Sequence, residues 1–166
     1  MLKSRGVSMI EVLVTLLVSA VGLLGVASLQ MSAVKNTRES QLRSMATVLA
    51  HDMAERMRSN LVGLAVPNQY YDQLQGTATA QDCRAGSCNA QELARFDYWE
   101  WSQQLAAHLP NGTGVVCVDS TPDDGVDGNG QCDVNLAQPA TYAIKIFWDE
   151  DGDGVRESRF VTKVLP

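Results

Sequence analysis

The chain has 166 residues, enough for one globular head plus an extended element and too few for two ordinary domains. Its formal charge is −6, and from Ala65 onward 15 acids face only six basic residues, a balance that repels phosphate backbones and excludes nucleic acid as the expected partner. Hydrophobic residues make up 45% of the sequence but crowd into the first 34 positions, so an ordinary average hides a membrane-type segment.

Residues 1–6, MLKSRG, form a short basic leader, and the 28 residues from Val7 to Val34 contain no Lys, Arg or Pro. As a helix that run measures about 42 Å, against a hydrocarbon core of roughly 30 Å. Lys3 and Arg5 before it, with the long acidic remainder after it, give the expectation of a cytoplasmic N-terminus by the positive-inside rule. A secretory signal peptide is one alternative, but the run is longer than the usual apolar core of such a peptide and contains Glu11. A plain signal anchor explains everything except that acid. An ionised carboxylate in hydrocarbon costs several kcal/mol and normally requires a partner.

A basic leader ending at Gly6, followed by an apolar helix with an acid five positions on, resembles the class III prepilin signal. The resemblance implies that a membrane prepilin peptidase cuts after Gly6 and methylates the new amine of Val7. It also implies that Glu11, fifth in the mature chain, pairs with the N-terminal amine of a neighbouring subunit. In a dry environment such a pair supplies register more surely than net stability. Val7 stands where the family usually has Phe. Removing Lys3 and Arg5 from the 13 basic residues would leave 11 against 19 acidic ones, a formal charge of −8. Filament-forming pilins carry a helix-breaking Pro in this segment, whereas the first proline here is Pro67. Gly22 and Gly25, each about 1 kcal/mol worse than Ala in a helix interior, are then the expected points of unwinding. The missing Pro favours a minor subunit over a bulk one.

Past Val34 the polarity rises but the helical period continues through Leu42, Met45, Leu49, Met53, Met57 and Leu61. A single helix from about Ser8 to about Leu61 would run roughly 80 Å. The organisation expected is a leader at 1–6, a transmembrane and assembly helix at 7–34, and a soluble head at 35–166 that includes the second half of the helix. Two internal stretches, AHDMAERMRSN at 50–60 and LARFDYWEWSQQLAAHLPNG at 93–112, resemble the PilV family of type IV pilus modification proteins, which are minor pilins.

Four cysteines, Cys83, Cys88, Cys117 and Cys132, lie beyond the apolar run, and an even number there points to disulfides in an oxidising compartment. Three pairings are open, and short loop closure favours Cys83 with Cys88 and Cys117 with Cys132. Zinc is the rival reading, but the spacing fits no common zinc knuckle and no His lies near either pair. Asn89 with Glu92 forms a capping-box start, and Pro110, Asn111 and Gly112 a stop, so a helix lies between them with Tyr98, Trp101, Leu105 and Leu109 on one face. Strands are predicted at Gly114 to Asp119, Thr141 to Trp148 and Ser158 to Leu165, the last two as an antiparallel hairpin. The fold expected is α+β, a long helix packed on a small antiparallel sheet, as the pilin resemblance also implies.

Two acidic loops remain. Asp149, Asp151, Asp153 and Gly154 reproduce the D-x-D-x-D-G opening of an EF-hand-type calcium loop, and Glu157 can add a further oxygen. Position twelve is Phe160, however, and strands replace the flanking helices, so calcium stands beside a solvated hairpin as the two readings. The second loop, Asp119 to Asp133, is irregular and reads as a surface loop whose Asp, Asn and Gly satisfy turns.

With only His51 and His108 and no nucleophile motif or phosphate loop, an enzyme is not expected. The resemblance implies a minor pilin that helps start or tip a type IV pilus, with other minor pilins, pilus assembly proteins, the prepilin peptidase and a tip adhesin as partners. It would sit in the inner membrane with its head in the periplasm, and later in the pilus. A pseudopilin of a type II secretion system is the alternative within the superfamily, and a membrane-anchored ligand-binding or enzymatic protein the alternative outside it.

Overall fold

The computed structural model describes residues 8–76, 81–127, 129–133 and 141–165. It divides into an N-terminal unit, Met1–Ser40, and a head, Gln41–Pro166. The leading helix α1 spans Met9–Ser59. No proline interrupts it, and the hydroxyls of Thr15, Thr37 and Thr47 donate to the Val12, Ala33 and Arg43 carbonyls instead of competing from outside the helix. The expected unwinding at Gly22 and Gly25 does not occur. Both glycines sit in continuous helix, where neighbouring Leu, Val and Ala residues supply enough propensity to carry them.

Within the head, the end of α1 contributes Ala46, Leu49, Ala50, Met53, Ala54 and Met57 to the core. Leu42 packs against this core while partly buried, but the predicted apolar stripe is corrected at two places: Met45 is exposed, and Leu61 lies outside α1 and is 64% exposed. Ala46, Ala50 and Ala54 are buried beside the larger stripe residues. The Trp101 indole donates to the Leu49 carbonyl at 2.8 Å. Asn60 ends α1 and caps the short helix α2, Leu61–Leu64, accepting from the Gly63 amide while its own amide donates to the Ala90 carbonyl.

The helix α3, Ala90–His108, starts at a complete capping box: Asn89 accepts from the amides of Gln91 and Glu92, and Glu92 accepts from the Asn89 amide. Its predicted face, Tyr98, Trp101, Leu105 and Leu109, is buried. The strands are β1 (Leu74–Gln75), β2 (Thr113–Val118), β3 (Tyr142–Trp148) and β4 (Ser158–Val164). They form one antiparallel sheet in the order β1-β2-β3-β4, with Val116 opposite Ile144 and Lys145 opposite Val161. The two-residue β1 is not apparent in the sequence pattern. Tyr142, Ile144, Ile146 and Trp148 point from β3 into the helix-facing core, and the fold is α+β as the sequence predicts.

Gly114 shows how closely α3 lies on the sheet: a Cβ there would fall 2.3 Å from the Trp101 ring. Gly114→Ala is expected to destabilise the head by about 1–3 kcal/mol through overpacking, read as a lower urea midpoint for loss of the buried-tryptophan fluorescence signal.

Candidate functional site

Glu11 lies in the first turn of α1, exposed, where the free amides of the helix start favour a negative charge. Gly6 and Val7 lie outside the described residues. The apolar run of α1 has a mean hydropathy of 2.5 over 18 residues, and none of that stretch is buried by the chain itself. Leu13, Leu17, Leu24 and Leu29 are all more than half exposed. Such a surface requires a membrane or neighbouring subunits around it.

The head carries two disulfides, Cys83–Cys88 and Cys117–Cys132, with Cα separations of 5.6 and 6.1 Å. The first closes a small loop that is tied to α3 through Arg84, which pairs with Glu100 and lies over the Phe96 ring. Glu100 also accepts from Arg56, joining that loop to α1. Beneath them Asp97 accepts from the Tyr71 hydroxyl at 2.7 Å. Burial pushes the Asp97 carboxyl above its ordinary range and, with the adjacent Asp97 charge, pushes the Tyr71 phenol up as well.

The second disulfide, paired as expected, ties down a loop whose residue pattern is that of a simple surface loop. The Asp119 to Asp133 loop is not a simple surface loop, because it covers the far face of the sheet, where Val115, Cys117 and Phe147 cluster with Cys132. At its centre Lys145 is completely buried on β3, and its ammonium meets Asp119 at 2.5 Å, the Asp124 carboxylate at 2.8 Å, the Asp124 carbonyl at 3.1 Å and the Gly130 carbonyl at 2.6 Å. Asp119 is equally buried. Arg159 holds the Gly125 and Asp123 carbonyls and Arg156 holds Asp127, so three cations from the hairpin organise the loop. Lys145 draws the Asp124 carboxyl below its usual range, and the Ser120 hydroxyl and amide hold Asp133 down to about 2. The strand alternation does place Lys145 opposite the core residues Ile144 and Ile146. Nothing in that alternation shows that the opposite face is covered.

In the hairpin turn, carboxylate oxygens of Asp149, Asp151, Asp153 and Glu157 lie within 4.8 Å of one another. Asp149 accepts from the amides of Gly152 and Gly154, Asp153 from Val155, and Glu157 from Glu150. Gly152 and Gly154 have φ of 87° and 93°, a conformation the two glycines adopt without strain. The turn therefore gathers oxygen donors of the kind a hard cation takes, with Asp151, Asp153 and Glu157 exposed and Asp149 buried.

An exposed apolar helix leading into an α+β head is the arrangement expected of a pilin-type subunit. Residues 28–99 match the family model described as Tt1218-like, type IV pilin Tt1218, and residues 1–27 match the prokaryotic N-terminal methylation motif. The two adjoining matches support a subunit of the type IV pilin family. No curated protein and no solved structure matches the chain.

Lys145→Met would leave Asp119 buried without its cation, and we expect it to destabilise the head by about 3–5 kcal/mol. Adding Asp119→Leu should recover part of the loss, since the uncompensated charge is then removed; urea denaturation of the purified chain measures both.

Proposed function

We propose that this chain is a minor pilin, similar in role to the PilV family, that joins related subunits in a short helical complex starting or tipping a type IV pilus. The observation that carries the reading is the uncovered apolar run of α1 with a single acid, Glu11, five positions after Gly6 in a segment matching the methylation motif. Cleavage after Gly6 by the prepilin peptidase frees the Val7 amine, and Glu11 of one subunit pairs with that amine on the next. Before assembly the helix anchors the protein in the inner membrane with the N-terminus cytoplasmic and the head periplasmic. Two disulfides in the head agree with an oxidising compartment. The other minor pilins, pilus assembly proteins and a tip adhesin are the partners this role requires.

Mass spectrometry of the chain isolated from its own cells should find Val7 as a methylated N-terminus. Glu11→Val should preserve that processing and sharply lower recovery of the chain in sheared pili. An intact Met1, or cleavage well beyond Glu11, would remove the pilin reading. Deletion that blocks protein secretion and leaves pili normal would transfer the chain to a type II secretion pseudopilus.

We further propose that the Asp149–Glu157 turn takes calcium, which the proximity of its four carboxylates favours. Millimolar calcium should then raise the melting midpoint of the purified chain, chelator should reverse the rise, and Asp151→Asn with Asp153→Asn should abolish it. A midpoint indifferent to calcium and chelator leaves the turn as a solvated hairpin.

A further inference from the structure

The boundary of the apolar run has a charge pattern that the proposed assembly role does not use. Between Glu11 and Glu39 there is no acid, and the apolar run ends at Val34 with Lys35, Asn36, Thr37 and Arg38 directly after it. All four are exposed, and the Thr37 hydroxyl is turned back to the Ala33 carbonyl. Lys35 and Arg38, three residues apart, share one side of the helix. Neither makes an ion pair or a side-chain hydrogen bond among the described residues, as is also true of Arg43, Arg95 and Lys163 farther from the apolar run, whereas Arg56, Arg58, Arg84, Lys145, Arg156 and Arg159 are all held by carboxylates or carbonyls. The nearest acid is Glu39, one turn beyond Lys35 and not paired with it.

Distance gives these two cations a location. From Met9 to Lys35 a helix rises about 39 Å, close to the roughly 40–45 Å thickness of a bilayer with its headgroup layers. With the first turn of α1 at one headgroup layer, Lys35 and Arg38 stand in the other. Lys offers a compact ammonium and Arg a planar fork, both suited to phosphate oxygens. The sign is also opposite to that of the strongly acidic residues from Ala65 onward, which an anionic surface would repel.

We propose that Lys35 and Arg38 bind the phosphate headgroups of anionic phospholipids in the leaflet at the C-terminal end of the apolar run, fixing the depth at which α1 rests until the subunit leaves the membrane. The proposal rests on the membrane-anchored pilin reading. In function the pair is a lipid-binding collar that holds the unassembled subunit and must be released during extraction.

The test uses the full chain reconstituted in phosphatidylcholine vesicles containing either spin-labelled phosphatidylglycerol or spin-labelled phosphatidylcholine. The motionally restricted fraction should show a preference for phosphatidylglycerol of up to about fivefold per cation, weakened in 1 M salt. K35Q/R38Q should bring the two lipids close to equality, and K35R/R38K should keep the preference. Equal selection by the unaltered chain, or a preference unchanged in K35Q/R38Q, overturns the proposal. So does full competition by millimolar inorganic phosphate, which would make the pair a free-phosphate site. Release of the chain from vesicles by alkaline carbonate would overturn the membrane-anchored reading and this one with it; retention without lipid preference overturns this one alone.

Discussion

The apolar surface of α1 that the chain does not cover is the constraint on which the rest depends. Side chains such as Leu13, Leu17, Leu24 and Leu29 remain exposed, and no folding of the described residues buries them. Apolar surface in water is unfavourable in proportion to its area, so this half of the helix needs first a bilayer and then other helices around it. A single acid in such a helix tolerates few environments. In the proposed assembly role, Glu11 in the first turn of α1 lies at the headgroup layer while the subunit is in the membrane, and a bundle of processed subunits would offer it free amines. Lipid tails and apolar helices are otherwise nearly equivalent solvents for such a surface.

The head faces the opposite difficulty, a small sheet with two faces to bury and only one set of helices. Core side chains from α1, α3 and β3 settle the first face by ordinary packing. The second is covered by a loop too polar to collapse by itself, and there a buried ammonium replaces hydrophobic mass. Taking Lys145 and Asp119 out of water is costly, and the arrangement holds because further oxygens complete the ammonium's shell. Arg156 and Arg159 extend the same principle to the rim.

Much of this was legible in the sequence where one signal acts locally. The leader, the apolar run and Glu11 are contiguous, and the Asn89–Glu92 capping box needs only four residues to be recognised. The three main strands follow from β-branched and aromatic alternation. What failed involves distant partners. Met45 and Leu61 fit the helical period as well as Met53 does, yet Met45 stays exposed and α1 ends at Ser59, where Asn60 starts a new short helix. β1 consists of two residues with no period to detect, and it exists because β2 offers an edge. Lys145 looked like the polar half of an alternating strand. Its burial depends on a loop that begins 26 residues earlier, at Asp119, and on a pairing that composition does not encode.

The oxygen cage around Lys145 also bears on how the cysteines find one another. Four cysteines leave three ways to pair, and Cys132 lies in a loop with little apolar content to direct it. The ammonium gathers the carbonyl of Gly130 and the carboxylates of Asp119 and Asp124, which holds the chain leading into Cys132 against the sheet beside Cys117. Ion pair and disulfide thus hold the same two stretches of chain together, one by charge and one by a covalent bond.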